Sequence, residues 1–216
     1  MKFAKGSISW ISSTLFVAVI FFVIFLIFYK KEISIIFLIL FLIVLSKAIC
    51  FIIFFRDPER VIGNGITSSA DGKIREICKK EDIDIGNCYF VSTFMNINNV
   101  HVNRTPLGCN VISIKHLKGS HVPAFKKESE KNERVITVID TKIGRIKIIL
   151  IAGTIARRIV TYIKKGDELK KGERIGIIRF GSRVDLYIPT EKIKTITVKV
   201  GDKIKAGETT IAKIND

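Results

Sequence analysis

A mainly β protein carried on an N-terminal helical hairpin, α+β overall, is the fold class that this 216-residue sequence predicts. Residues 1–55 are almost entirely apolar and fall into two runs of helix-spanning length. Beyond Pro58 the texture changes to short β-branched runs of period two, broken by Gly, Asp and Asn. A turn-rich unit also occurs twice near the C-terminus, at 162–178 and 197–214. Composition excludes simpler classes. The 36 Lys+Arg against 20 Asp+Glu give a net charge of +16 beside 48% hydrophobic residues, which is too apolar for a disordered polyelectrolyte. At 26% charged residues the chain is too polar for a channel held mostly in lipid. Of these charges, 29 Lys+Arg and 17 Asp+Glu lie beyond residue 60, leaving that part at +12. Residues 61–216 are long enough for one domain with a real core.

The first apolar run, Ile8 to Phe28, has only Ser and Thr as polar members and matches a hydrocarbon core of roughly 30 Å. Tyr29, Lys30, Lys31 and Glu32 separate it from a second run, Ile33 to Phe55. So short a loop predicts an antiparallel hairpin. A signal peptide would have a shorter apolar stretch of about 7–15 residues and a small-residue cleavage site, and neither is present before Lys30. Lys2, Lys5, Arg56 and Arg60 on one side against Lys30 and Lys31 on the other give a small positive-inside bias. The expected location is therefore the cell membrane with the larger domain cytoplasmic. Lys47 near the end of the second run is expected to snorkel, or else the helix stops short and Ala48–Phe55 joins the domain. A basic domain is drawn to anionic headgroups. No aromatic-interleaved basic motif or recognition helix points to nucleic acid.

Cys50, Cys78, Cys88 and Cys109 show neither CxxC nor Cys/His ligand spacing, so free thiols in a reducing compartment are expected, and no metal. Strands are expected at KIREIC (73–78), CYFVSTFM (88–95), CNVISIKHL (109–117), RVITVID (134–140), GRIKIILIAG (144–153), ARRIVTYI (156–163), GERIGIIRFG (172–181), RVDLYIP (183–189), TITVKV (195–200) and TTIAKI (209–214). The two repeat copies, YIKKGDELKKGERIGII and TVKVGDKIKAGETTIAKI, share a Gly-Asp turn and a following Lys-x-Gly-Glu turn. Paired units of this kind resemble the flattened barrel-sandwich of lipoyl and biotinyl carrier domains, but FGSRVD stands between the copies where a carrier lysine would be.

A lone Gly181-Ser182 between two strands reads as a turn. In its context, GERIGIIRFGSRVDLYIP at 172–189 resembles the processing site of the short prokaryotic phosphatidylserine decarboxylase proenzymes. FFRDPER (54–60), SADGKI (69–74), NVHVNRTP (99–106), KNER (131–134) and IAGTIARRIV (151–160) follow that family's motifs in the same order. Ser69 stands where the family commonly has Pro.

The resemblance implies self-cleavage at Gly181-Ser182 into a β chain, 1–181, and an α chain, 182–216, whose blocked N-terminus is a pyruvoyl cofactor made from Ser182. A glycine lets the backbone approach closely enough for the Ser182 hydroxyl to attack the Gly181 carbonyl. An N-to-O acyl shift, β-elimination and hydrolysis then leave the ketone, which forms a Schiff base with a serine headgroup and acts as electron sink as CO2 departs. Asp71 and His101 match the family's Asp-His-Ser set. The longer relatives have a second histidine where Arg104 stands here, so the resemblance implies that either one imidazole serves both steps or another group substitutes. His116 and His121 fall in a loop like one near the family's site, and Arg104, Arg157 and Arg158 are candidates for the lipid phosphate. The expected partners are phosphatidylserine in the membrane and the two processed chains, associated as αβ units that pair in a dimer. An archaetidylserine decarboxylase would use the same chemistry. A non-enzymatic membrane adaptor with a lipoyl-like domain would instead remain one intact chain.

Overall fold

The computed structural model describes residues 2–120, 122, 131–153, 158–179 and 182–215. The chain divides into two compact units, Met1–Pro58 and Glu59–Asp216.

In the first unit, β1 (Lys2–Phe3) and β2 (Arg56–Asp57) pair antiparallel, and between them run α1 (Ile8–Ile27) and α2 (Ser34–Phe54). Both helices are long and apolar enough to cross a membrane. Ring contacts pair Trp10 with Phe51, Phe22 with Phe41 and Phe28 with Phe37, a descending order that makes the pair an antiparallel hairpin. Large apolar side chains such as Phe16 and Ile35 are exposed along the helices, a surface that suits lipid. Helix α2 continues through Lys47, so Ala48–Phe54 stays helical, and the Lys47 ammonium lies 5.6 Å from the Phe51 ring centre.

The second unit is strand-rich. Its strands are β3 (Ile66–Thr67), β4 (Gly72–Asp82), β5 (Gly86–Met95), β6 (Val102–Arg104), β7 (Cys109–Leu117), β8 (Arg134–Thr141), β9 (Gly144–Ala152), β10 (Ile159–Thr161), β11 (Glu168–Leu169), β12 (Arg174–Ile178), β13 (Ser182–Pro189), β14 (Ile193–Ile196), β15 (Lys203–Ile204) and β16 (Thr210–Ile214). Eight form a curled antiparallel sheet in the order β11-β7-β8-β9-β13-β5-β4-β15. Two three-stranded sheets, β10-β12-β6 and β14-β16-β3, complete it.

These orders describe a duplication. Strands β6 to β12 form an inserted half, contiguous in sequence. Strands β3 to β5 and β13 to β16 form an outer half with the same succession of roles, and the two meet at the β9–β13 seam. Matching hydrogen bonds confirm the correspondence. Gly166 N donates to Val111 O at 2.8 Å, and Gly201 N to Ile74 O at 2.9 Å. Gly172 N donates to Thr105 O at 3.0 Å, and Gly207 N to Ser68 O at 2.8 Å. Asp167 and Asp202 each accept from the backbone three residues earlier, at 2.9 and 2.8 Å. Gly166 and Gly201 have φ of 90° and 99°, a conformation that favours glycine and explains why the turns repeat in sequence. The short strands of the two copies, β11 and β15, take opposite edges of the large sheet. The architecture that carries these turns is the curled sheet.

The core lies on the sheet face bearing Ile74, Val91, Met95, Val135, Ile148 and Leu150. The opposite face carries a polar bolt across the seam. Lys147 of β9, 7% exposed, reaches Asp82 at 2.6 Å and Asp84 at 2.8 Å, on and just beyond the end of β4. Strand β14 occupies 193–196 rather than the expected 195–200, because Lys199 N is already bound to the Asp202 carboxylate in the repeat turn. The short strands β3 and β6, the latter inside NVHVNRTP, lie where no strand was expected. All four cysteines are free, and burial raises the thiol pKa of Cys78, Cys88 and Cys109.

Candidate active site

Two connections join the halves: residues 96–101 lead into the inserted half, and 179–181 lead back. On the way in, Asn99 folds its side chain onto Asn96 N at 2.8 Å, and its carbonyl accepts from His101 Nδ1 at 2.8 Å. A carbonyl can only accept, so Nδ1 carries the proton and the neutral ring has its lone pair at Nε2, the form a general base needs. The His101 carbonyl accepts from Ile178 N at 3.4 Å, placing this histidine beside the end of β12, just before the return connection.

On the way back the chain leaves β12 and enters the large sheet at Ser182, the first residue of β13. Ser182 pairs with Met95 on β5 and with Ala152 on β9. It is fully buried, and its Oγ has no hydrogen-bond partner among the described residues. Alternation along β13 sends Ser182 to the same face as Val184, Leu186 and Ile188, into the core, while Arg183 and Asp185 pair with each other at 2.6 Å on the other face. Gly181 lies outside the described residues, as do His121 and Arg157.

Asp71 directly precedes β4. Lys73 and Arg183 both pair with Phe94, so Gly72, Met95 and Ser182 stand in one row across three strands, roughly 10 Å wide. Gly72 is needed there because a Cβ would collide with the Phe94 carbonyl oxygen. Asp71 is buried; its Oδ1 accepts from Ala206 N at 2.8 Å and its Oδ2 from Arg60 at 2.7 Å. Arg60 also donates to Glu208 at 3.0 Å, and Lys205 and Arg60 together hold the Glu208 carboxyl below the usual carboxylate range.

The remaining candidates are placed differently. Arg104 points away from the face used by Asn103, to the Gly172 carbonyl at 3.0 Å and against Gly207, so it packs between the two repeat turns. His116 lies on β7, half-exposed, and meets Glu133 at 2.8 Å. Arg158 is exposed, and its carbonyl accepts from Arg179 N at 3.3 Å on the return connection.

Sequence reasoning missed three residues that frame this site. Fully buried Asn132, inside the KNER motif, donates to the carbonyl of Ala152 at 2.7 Å and accepts from Ser120 at 3.0 Å and Val122 N at 2.9 Å, fixing the strand end opposite Ser182. Asn103 of NVHVNRTP packs on Met95 Sδ at 3.8 Å. Arg60 of FFRDPER holds Asp71. The motifs were visible, but which members faced inward was not.

A family model described as phosphatidylserine decarboxylase matches residues 48–212, a span that includes both connections and the whole row at Met95. The chain belongs to the phosphatidylserine decarboxylase family. Relatives agree. A phosphatidylserine decarboxylase proenzyme of Streptomyces coelicolor is 52% identical over 159 residues, 73% of this chain and 70% of its own length. A second, from Streptomyces avermitilis, is 42% identical over 212 residues, 98% and 93% of the two chains. A protein of Methanococcoides burtonii, provisionally named an archaetidylserine decarboxylase proenzyme, is 50% identical over 167 residues, 76% and 75%. Membership makes the protein a decarboxylase of the proenzyme type. Within this family's span, the Gly181-Ser182 junction stands at the return connection between halves.

Proposed function

We propose that this chain is a self-processing, membrane-anchored decarboxylase of serine phospholipids, cut between Gly181 and Ser182. The observation that carries the reading is the buried Ser182 at the mouth of a central strand, with the end of β12 beside His101. In this reading His101 Nε2 takes the Ser182 hydroxyl proton as Oγ bonds to the Gly181 carbonyl carbon. The same proton passes to the departing amide nitrogen, so the peptide becomes an ester. Loss of the α-proton expels the Gly181 carboxylate and leaves dehydroalanine, and water releases ammonia to give a ketone at position 182. That covalent pyruvoyl group supplies an electrophilic carbonyl for the substrate amine and a sink for the electron pair left by CO2.

The surroundings fit such a group: Ser182 is paired with Met95 and Ala152 and fully buried, away from bulk water. Asp71, held by Arg60 and Ala206, serves as the fixed carboxylate of the set. For the lipid phosphate, Arg158 with its exposed side chain is better placed than Arg104; Arg157, His121 and the half-exposed His116 complete the proposed substrate contacts. The hairpin α1–α2 provides the anchor, and the weak positive-inside bias favours a cytoplasmic domain. The repeat turns act as a lipoyl-like brace around the site.

Relatives named for phosphatidylserine and for archaetidylserine match at 52% and 50% identity, so the serine headgroup is the shared feature and either lipid backbone is a substrate candidate. Purified wild type should run on a denaturing gel as two chains, 1–181 and 182–216, the smaller with a blocked N-terminus by mass. Ser182→Ala should remain whole and release no CO2. A wild-type chain that stays intact with a normal serine at 182 would sink the proposal and favour the adaptor reading.

A further inference from the structure

We propose that Asn103 and Ser69 form the polar wall that receives the amine end of the substrate, an inference that rests on the decarboxylase reading above. Asn103 is the middle residue of β6, so alternation turns it to the face opposite Val102 and Arg104. That face meets Met95: Asn103 Nδ2 lies 3.8 Å from Met95 Sδ and donates to the Ser69 carbonyl at 3.3 Å. Met95 in turn is the direct cross-strand partner of Ser182.

Asn103 is 0% and Ser69 3% exposed, and neither Asn103 Oδ1 nor Ser69 Oγ has a hydrogen-bond partner among the described residues. Ser182 Oγ shares that condition. Folded proteins satisfy the great majority of buried polar atoms, because each one left unmet costs about 1–3 kcal/mol. Two such atoms, on residues linked through the Asn103 side chain to Met95 beside position 182, mark a place built to be completed by a ligand.

The chemistry of the atoms selects the ligand. Reversing the Asn103 amide would aim its oxygen at the Ser69 carbonyl, so the unmet atom is the oxygen, which only accepts. Ser69 adds a hydroxyl that accepts or donates. The acceptor-only oxygen of Asn103 disfavours carboxylate and phosphate, and with the Ser69 hydroxyl turned to accept it matches the N–H groups of a primary amine. The substrate amine is thereby turned toward position 182, and the phosphate is left to face elsewhere. Neither residue belongs to the cleavage pair, so loss of either should leave processing intact.

Three variants test this: Asn103→Leu, which keeps the volume, Ser69→Ala, and Asn103→Asp, which keeps the shape and adds charge. The probe is ethanolamine captured by borohydride reduction, read from the mass of the small chain, alongside self-cleavage on a gel and thermal stability. Asn103→Leu and Ser69→Ala should cleave like wild type, and Ser69→Ala should melt at the same or a higher temperature, because it removes an unmet polar atom without breaking a bond. They should need about tenfold more ethanolamine for half-capture, the loss of one hydrogen bond. Asn103→Asp should need less. Half-capture at the wild-type concentration in Ser69→Ala and Asn103→Asp would overturn the proposal, even if Asn103→Leu failed to accumulate. A wild type that never cleaves would defeat the decarboxylase reading itself; a wild type that cleaves and captures, with indifferent variants, would defeat only the role of Asn103 and Ser69.

Discussion

The inserted and outer halves of the β unit have the same strand succession but finish one hairpin differently. In the inserted half, β8 and β9 are closed by a tight turn in which Thr141 pairs with Gly144, and Thr141 Oγ1 bonds both the Gly144 carbonyl at 2.7 Å and Ile143 N at 3.3 Å. In the outer half, the equivalent strands are β5 and β13, whose ends, Met95 and Ser182, also pair, yet no turn joins them because the whole inserted half intervenes. A closed hairpin satisfies its own polar groups at the surface. An opened one, covered by the inserted half, leaves a buried serine beside two chain crossings. The candidate chemistry lies where the symmetry of the fold is broken.

His101→Ala should abolish the asymmetry in function while leaving the architecture: CO2 release should fall by about 10²–10⁴-fold, the contribution of a placed general acid–base, in a turnover assay on lipid micelles. Wild-type turnover would place the catalytic group elsewhere. A smaller but clear effect is expected from Arg60→Gln. With its ion pair to Asp71 gone, self-cleavage followed by gel should slow about 10-fold or more, whereas Lys142→Ala in the closed turn of the other half should leave the rate unchanged.

The seam between halves should yield next. Lys147→Met leaves Asp82 without its buried cation and should cost roughly 1–3 kcal/mol in denaturant melts, without changing the cleavage position. Mildest is the pH dependence of that bolt. The hydrogen bond from Lys147 holds the Asp84 pKa below its ordinary value, so this contribution is present above about pH 4 and is lost as pH falls through the lowered value. Burial alone would depress Lys147, but the bonds to Asp82 and Asp84 outweigh it and raise its pKa. Its contribution therefore holds at neutrality and disappears as pH climbs past about 10.4 and through the raised value. Thermal melts against pH should show both edges in wild type and neither in Lys147→Met.

The two apolar helices, most strands and the repeat turns were legible in the sequence because each is a local pattern: an unbroken apolar run, period-two alternation, and glycines at positive φ. Ser182, His101 and Asp71 were singled out as candidates through motifs that resemble those of a known family. The duplication was visible only in its last third, the Gly-Asp turns. Its strands share no residue pattern, only pairing, and a pairing such as Met95 with Ser182 joins positions far apart in the chain.

By itself, then, the sequence determined that a hydrophobic hairpin precedes a basic β domain and singled out Gly181-Ser182 as the candidate place for chemistry. Only the tertiary structure decided that this junction is an opened hairpin end, that Arg104 braces two turns while Asn103 faces the site, and that Arg60 and Asn132 hold the neighbouring segments. The reason is physical. Which side of a three-residue strand such as β6 faces inward depends on what packs against it, and that is set by partners on other strands.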